Sequence, residues 1–438
     1  MASDTPADLS NLVIYSIYVR NYGPNGTFAD VEADLPRIRQ MGVDLIWFLP
    51  IHPIGKVNKK GTLGSPYSIS DYRGINPEYG TLADFTRLVE KIHSAGMRVM
   101  IDVVYNHTSH DSLLVREHPD WFHQDDSGKP VTTVPEWSDV IDLKHPNPAL
   151  TVYLYESLQY WAGLGVDGFR CDVASLLPES FWVGARQAVA QVRPGVIWLA
   201  EAVHTGWVVD RRARGLPTLS DSEVYRAFDM TYDYDIWPVF RQAVQGLVPL
   251  GRYLELLLLQ DGIYPANFIK MRCTENHDQP RIMAFAPTRE QALAWTAFEA
   301  FNKGAFLIYA GQEAAASHTP SLFDVDKISW QEYPLQPFLT ALANLKKDPE
   351  VTSGKFMLVE DRDTIQAVWL TESGGLFGIF NVQNLSGKIS IPLPDGTYQN
   401  VIDGSMVSVS GGKISALPAA ILKYSEPVKF LSFQSSLF

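Results

Sequence analysis

Short apolar runs without polar alternation occur at residues 12–19, 43–49, 98–104, 166–171, 196–200, 224–228, 268–272 and 305–309. Such runs suit strands buried on both faces, as in a parallel sheet. Between them lie stretches with helical spacing of apolar positions, at 31–41, 82–95, 149–163, 179–192 and 288–301. Eight alternations of strand and helix predict an α/β chain whose sheet closes into a (β/α)8 TIM barrel. A doubly wound open sheet is the alternative. No G-x-G-x-x-G or G-x-x-x-x-G-K-[ST] follows any of the strands, which weighs against it.

Two segments break the rhythm. Residues 107–142 are polar and irregular, with HQDDSGKP at their centre. A βα loop usually runs about 2–6 residues, so this reads as an inserted subdomain after the third strand. Beyond Lys347 the pattern turns to short strands with Gly turns, such as TIQAVWL, GLFGIFNV and AAILKY. The expected organisation is a barrel over 1–106 and 143–348, an insert over 107–142 and a β-sandwich-like domain over 349–438.

Composition narrows the partners. The 438 residues carry a formal net charge of −13, which disfavours nucleic acid and anionic membranes and suits a neutral substrate. No run approaches the ~18 apolar residues of a membrane span. The start, MASDTPADLS, lacks a basic region followed by an apolar one. The expectation is a cytoplasmic protein, or a secreted one whose signal peptide has been removed. Two cysteines, Cys171 and Cys273, exclude a disulfide scaffold and a cysteine-built zinc site. Nothing in the sequence specifies an oligomeric state.

Barrel enzymes carry their chemistry at the C-terminal ends of the strands. Here those ends read DVVYNH (102–107), GFRCDVAS (168–175), WLAEAVH (198–204) and RCTENHDQPR (272–281). Four apolar strands each ending in ionisable groups are hard to explain as structure alone. Alternation puts Arg170 and Asp172 on one face and Cys171 on the other. Arg170 is expected to keep Asp172 ionised, as a nucleophile requires. Glu201 emerges from the apolar run VIWLA, which predicts a raised pKa and a general acid. One β-α unit separates the two, so they are expected on adjacent strands, at the separation of about 5–5.5 Å found in retaining glycosidases. Asp278 is a third acid across the mouth.

These four segments, in order, resemble the short sequence regions of the α-amylase superfamily, glycoside hydrolase family 13. SPYSISDYRGINPEYGT (65–81) and IDLKHPNP (141–148) resemble two further segments of that family. The resemblance implies Asp172 as nucleophile, Glu201 as acid then base, and Asp278 as stabiliser of the distorted sugar. It implies Arg170 as the group orienting Asp172, His107 and His277 as sugar hydrogen-bond partners, and Tyr67 as a stacking floor. It implies no cofactor for the chemistry. It also implies a structural calcium held by Asn106 and Asp142, with Asp139 a candidate third ligand; Lys144 is an alternative source of positive charge. The expected substrate is an α-glucan or maltooligosaccharide.

The sequence departs from many α-amylases after the nucleophile, where Ser175 and Leu176 stand in place of a Lys-His pair. That leaves room for short oligosaccharides or for glycosyl transfer. Trp121, Trp137 and Trp207 are candidate sugar platforms, of which about one in three is expected to serve. The leading reading is a retaining hydrolase of α-1,4-glucosidic bonds, and a glucanotransferase using the same intermediate is the alternative. A catalytically dead carbohydrate-binding relative conflicts with the three acids. A metal-dependent barrel hydrolase lacks its His-x-His pair.

Overall fold

All but one of the barrel strands form where the apolar runs predicted them, and their register closes a ring. The barrel strands are β1 (Val13–Ile17), β2 (Leu45–Phe48) and β3 (Arg98–Val103), interrupted by β4 (His107–Ser109) and β5 (Val140–Asp142). They continue as β6 (Gly168–Cys171), β7 (Ile197–Ala200), β8 (Met230–Tyr232), β9 (Lys270–Arg272) and β10 (Ala305–Tyr309). All pairs in the ring β1-β2-β3-β6-β7-β8-β9-β10 are parallel, and β10 returns to β1. This is the closed (β/α)8 barrel. The computed structural model describes residues 5–361 and 363–434; the outermost residues of the two terminal units, 1–4 and 435–438, and Arg362 lie outside the described residues.

Several of the surrounding helices start at residues that satisfy their first amides. Thr81 accepts from the Asp84 amide while the Asp84 carboxylate accepts from the Thr81 amide, a reciprocal cap that meets two orphan donors. The helix Leu82–Ser94 then buries Phe85, Leu88, Val89 and Ile92, one apolar stripe at helical spacing.

The sixth barrel strand lies later than the predicted 224–228. Residues Asp221–Val224 are a helical turn capped by Ser220 and Glu223. The strand is Met230–Tyr232, whose central Thr231 breaks the apolar run. The seventh is shortened to Lys270–Arg272. Its two cations are fully buried among Asp221, Asp233, Asp235 and Gln260, so paired charge replaces apolar surface there.

The segment between β3 and β6 folds outward. Its ends pair as the antiparallel strands β4 and β5, with His107 opposite Asp142. Beyond the barrel lie β11 (Lys355–Val359), β12 (Ile365–Thr371), β13 (Gly374–Phe380), β14 (Lys388–Ser390), β15 (Gly396–Gln399), β16 (Met406–Val409), β17 (Lys413–Ser415) and β18 (Ala419–Tyr424). Their main sheet, β11-β12-β13-β18, is antiparallel. It packs on the barrel helix that precedes β10, Arg289–Phe301, where the Phe380 ring lies 5.4 Å from both Phe298 and Phe301. The Trp369 indole donates to the Phe301 carbonyl at 2.8 Å.

Candidate active site

Register, more than any loop, assembles the site. Asp102 of β3 pairs with Arg170 of β6, and Cys171 of β6 with Ala200 of β7. The ladder runs on past the strand ends, since the Asp172 amide donates to the Val103 carbonyl at 2.9 Å and the Glu201 amide to the Cys171 carbonyl at 3.0 Å. Asp172 and Glu201 therefore emerge side by side at the C-terminal rim, as their separation by one β-α unit predicted.

Arg170 is the hub. It is fully buried, and its Nη1 reaches both Asp102 (2.9 Å) and Asp172 (2.8 Å). Its Nη2 lies 3.0 Å from Glu201, off the line of a hydrogen bond. Its Nε donates to the Tyr232 hydroxyl at 3.1 Å. The rings of Trp47, Tyr67 and Tyr232 surround the guanidinium at 5.3–5.6 Å. Three carboxyls thus share one dry cation, and full ionisation of all three would leave uncompensated buried charge.

Protonation follows. Burial, opposed by Arg170 and helped by Asp172 and Asp278, raises Glu201 to about 7. Burial also raises Asp172, against the expectation that Arg170 alone would hold it low. The guanidinium and a hydrogen bond with Glu201 work in the other direction without cancelling the desolvation. Asp278 is the reverse case: burial raises it, but His277 and Arg170 outweigh that and hold it below its ordinary range. The site thus keeps a proton on the pair and an anion opposite it. Both cysteines are free and buried, and burial raises each thiol well above its ordinary value, which leaves them inert.

A cavity of about 290 Å³ opens over these groups, lined by Tyr67, His107, Trp137, Asp172, Glu201 and Asp278 among others. The Tyr67 hydroxyl donates to Asp102 at 3.1 Å and lies 2.6 Å from His277 Nε2, with the two rings nearly parallel. His277 Nε2 also contacts Asp278 at 3.1 Å. His107 Nε2 lies 4.0 Å from Asp172, and burial lowers its pKa, so it is a neutral hydrogen-bonding group. Of the seven predicted catalytic and substrate residues, Tyr67, His107, Asp172, Glu201 and Asp278 line this cavity, and Arg170 and His277 lie buried behind them. Two that sequence reading missed are Tyr232 and Tyr234. Tyr232 holds Arg170, and Tyr234 lines the cavity while accepting from the Asn276 amide at 3.0 Å. The alternating TYDYD of residues 231–235 was the available signal, with two tyrosines inward and two aspartates outward on Lys270 and Arg272.

The predicted calcium ligands do not fit an ion. The Asp142 carboxylate accepts from the Thr133 amide (2.7 Å), the Thr133 hydroxyl (2.6 Å) and the Thr132 hydroxyl (3.3 Å). The Asn106 amide faces His107 Nδ1 at 3.2 Å. Asp139 is paired with Lys60 Nζ at 2.9 Å. Calcium takes 6–8 oxygens, and among the described residues no group of three or more His, Cys, Asp or Glu side chains is arranged to hold a metal. The nearby cation is Lys60, not Lys144.

A closed parallel barrel with paired buried carboxyls at its C-terminal rim defines an enzyme of the glycosidase kind. Comparison with known proteins gives the family. The model of the α-amylase catalytic domain matches residues 13–137 and 135–352, and that of the bacterial α-amylase C-terminal domain matches 356–422. The chain belongs to the α-amylase family. The α-amylase structure from Lactobacillus plantarum is 42% identical with a TM-score of 0.91, covering 96% of this chain and 100% of that one. The α-amylase MalA of Haloarcula japonica is 26% identical over 95% of this chain and 63% of its own. An α-1,4-glucan:maltose-1-phosphate maltosyltransferase of Rhodospirillum rubrum is 32% identical over 59% of this chain and 37% of its own. The matches thus span 63% and 37% of these two curated relatives' own lengths. Among the described residues no helix is long and apolar enough to cross a membrane.

Proposed function

We propose that this chain is a retaining hydrolase of α-1,4-glucosidic bonds in starch, maltodextrins or maltooligosaccharides. The observation that carries this is the placement of Asp172 and Glu201 on adjacent strand ends around one buried guanidinium, with Glu201 raised to about 7. In the first displacement an Asp172 oxygen bonds the sugar C1 while the C1–O bond to the leaving glucan breaks. Glu201 gives that oxygen its proton. In the second, water gives a proton to the Glu201 carboxylate, its oxygen bonds C1, and the Asp172 ester breaks. Two inversions retain the anomeric configuration. Asp278, opposite the pair, accepts hydrogen bonds at the sugar rim, and His277, buried behind it, holds Asp278 and the Tyr67 hydroxyl in place. Tyr67 supplies an apolar floor.

Glycosyl transfer is the second reading. It uses the same ester with a sugar hydroxyl in place of water, and the similarity to a maltosyltransferase supports it. The test is Asp172→Asn with product analysis on starch and maltotriose. Removal of a nucleophile is expected to cost roughly 10³-fold or more in kcat. Wild-type turnover by this variant would refute both readings.

A further inference from the structure

Trp121 is spent on packing. It is 6% exposed, stacked on His118 at 3.8 Å and set against Tyr153. Trp137 and Trp207 are different. Both stay partly exposed at the catalytic face, and they come from separate parts of the chain. Trp137 belongs to the inserted segment and lines the cavity. Trp207 lies in the helix Thr205–Ala213, which starts just beyond Glu201. Their rings meet at 6.0 Å and 68°.

Each is held in place. Trp137 stands 5.3 Å from the His107 ring. Trp207 has the Arg211 guanidinium 5.5 Å from its ring, and Arg211 is fixed by its own bond to the Thr218 hydroxyl at 3.1 Å. A row of rings, His107, Trp137 and Trp207, thus leads outward from the reacting carboxyls. The turn that follows Asp172 supplies no polar side chain to compete with them. Val173 is its member in the cavity wall. Ser175 is fully buried, and its hydroxyl accepts from the Val203 amide at 3.4 Å.

Glu201 must face the leaving oxygen, and Trp207 stands on the segment that continues from Glu201. A pyranose presents an apolar C–H face that an indole can cover. We propose that Trp137 and Trp207 form the platform for the glucose on the leaving side of the scissile bond. An incoming acceptor sugar uses the same place: its hydroxyl passes its proton to Glu201, its oxygen bonds C1, and the Asp172 ester breaks. The pair takes over the contact that Ser175 and Leu176 do not provide. This inference rests on the retaining reading above.

The test compares two substrates, maltotriose and α-maltosyl fluoride, whose leaving fluoride needs no sugar on that side. Trp207→Leu is expected to lower kcat/KM on maltotriose about tenfold, the scale of one lost stacking contact. Its rate on the fluoride is expected to stay within about twofold, because the carboxyls are untouched. Trp207→Phe, which keeps a ring, is expected to recover part of the loss. Equal losses on both substrates, or no loss on either, overturn the platform. If the unaltered protein turns over neither substrate, the retaining reading itself fails.

Discussion

Arg170 decides the chemistry of this site. Asp102, Asp172 and Glu201 all lie within 3.0 Å of its two terminal nitrogens. One buried cation cannot balance three buried anions, so the set retains a proton. Burial raises all three carboxyls, Asp102 well above its ordinary value and Glu201 to about 7, while Asp172 keeps the shortest contact to the guanidinium. The account therefore requires Glu201 protonated and Asp172 ionised in the reacting enzyme. As pH rises through about 7 Glu201 loses its proton, so kcat/KM falls. As pH falls Asp172 gains one, and because burial raises it the acid limb lies above the ordinary 3.8 of an aspartate. The pH profile of kcat/KM on maltotriose reads both limbs. A rate flat through pH 7 would contradict the assignment of Glu201.

At the scale of elements, strand register builds the site and charge holds its surroundings. The barrel strands and their catalytic ends were legible in the sequence because each is an apolar run ending in costly polar groups. DVVYNH, GFRCDVAS and WLAEAVH needed only the period of two to say which residues share a face. β8 was not legible. Its three residues include a central threonine, and the tyrosines at and just beyond its end alternate with aspartates whose partners, Lys270 and Arg272, lie 35 or more residues away. Pairing across that distance leaves no local signature.

The resemblance implied a calcium on Asn106 and Asp142 with Asp139 as a third ligand, whereas Asp142 is bonded to Thr132 and Thr133 and Asp139 to Lys60. A chelator is therefore expected to leave the melting temperature unchanged. Thr133→Val, which removes one hydrogen bond to a buried carboxylate, is expected to cost about 1–3 kcal/mol. Thermal melts with and without chelator measure both. A chelator-induced drop would restore the ion site.

The whole molecule joins a barrel that makes the site, an insert that walls it and a β-sheet unit that packs on a barrel helix. The insert brings Trp137 over the cavity that the barrel floor defines. None of the described residues of the C-terminal sheet lines that cavity. The sheet's contact with the helix Arg289–Phe301 is aromatic, through Phe380 and Trp369, and supports the helix that precedes β10. The charge of −13 leaves an uncharged glucan free to approach. The central claim is a covalent sugar ester on Asp172. The most direct measurement is peptide mapping by mass spectrometry after reaction with a 5-fluoro-α-glycosyl fluoride, which forms the ester quickly and releases it slowly. The account predicts one added sugar on the peptide containing Asp172, lost in Asp172→Asn. A sugar attached at Glu201 or Asp278 instead, or turnover of this reagent with no attachment, would contradict it.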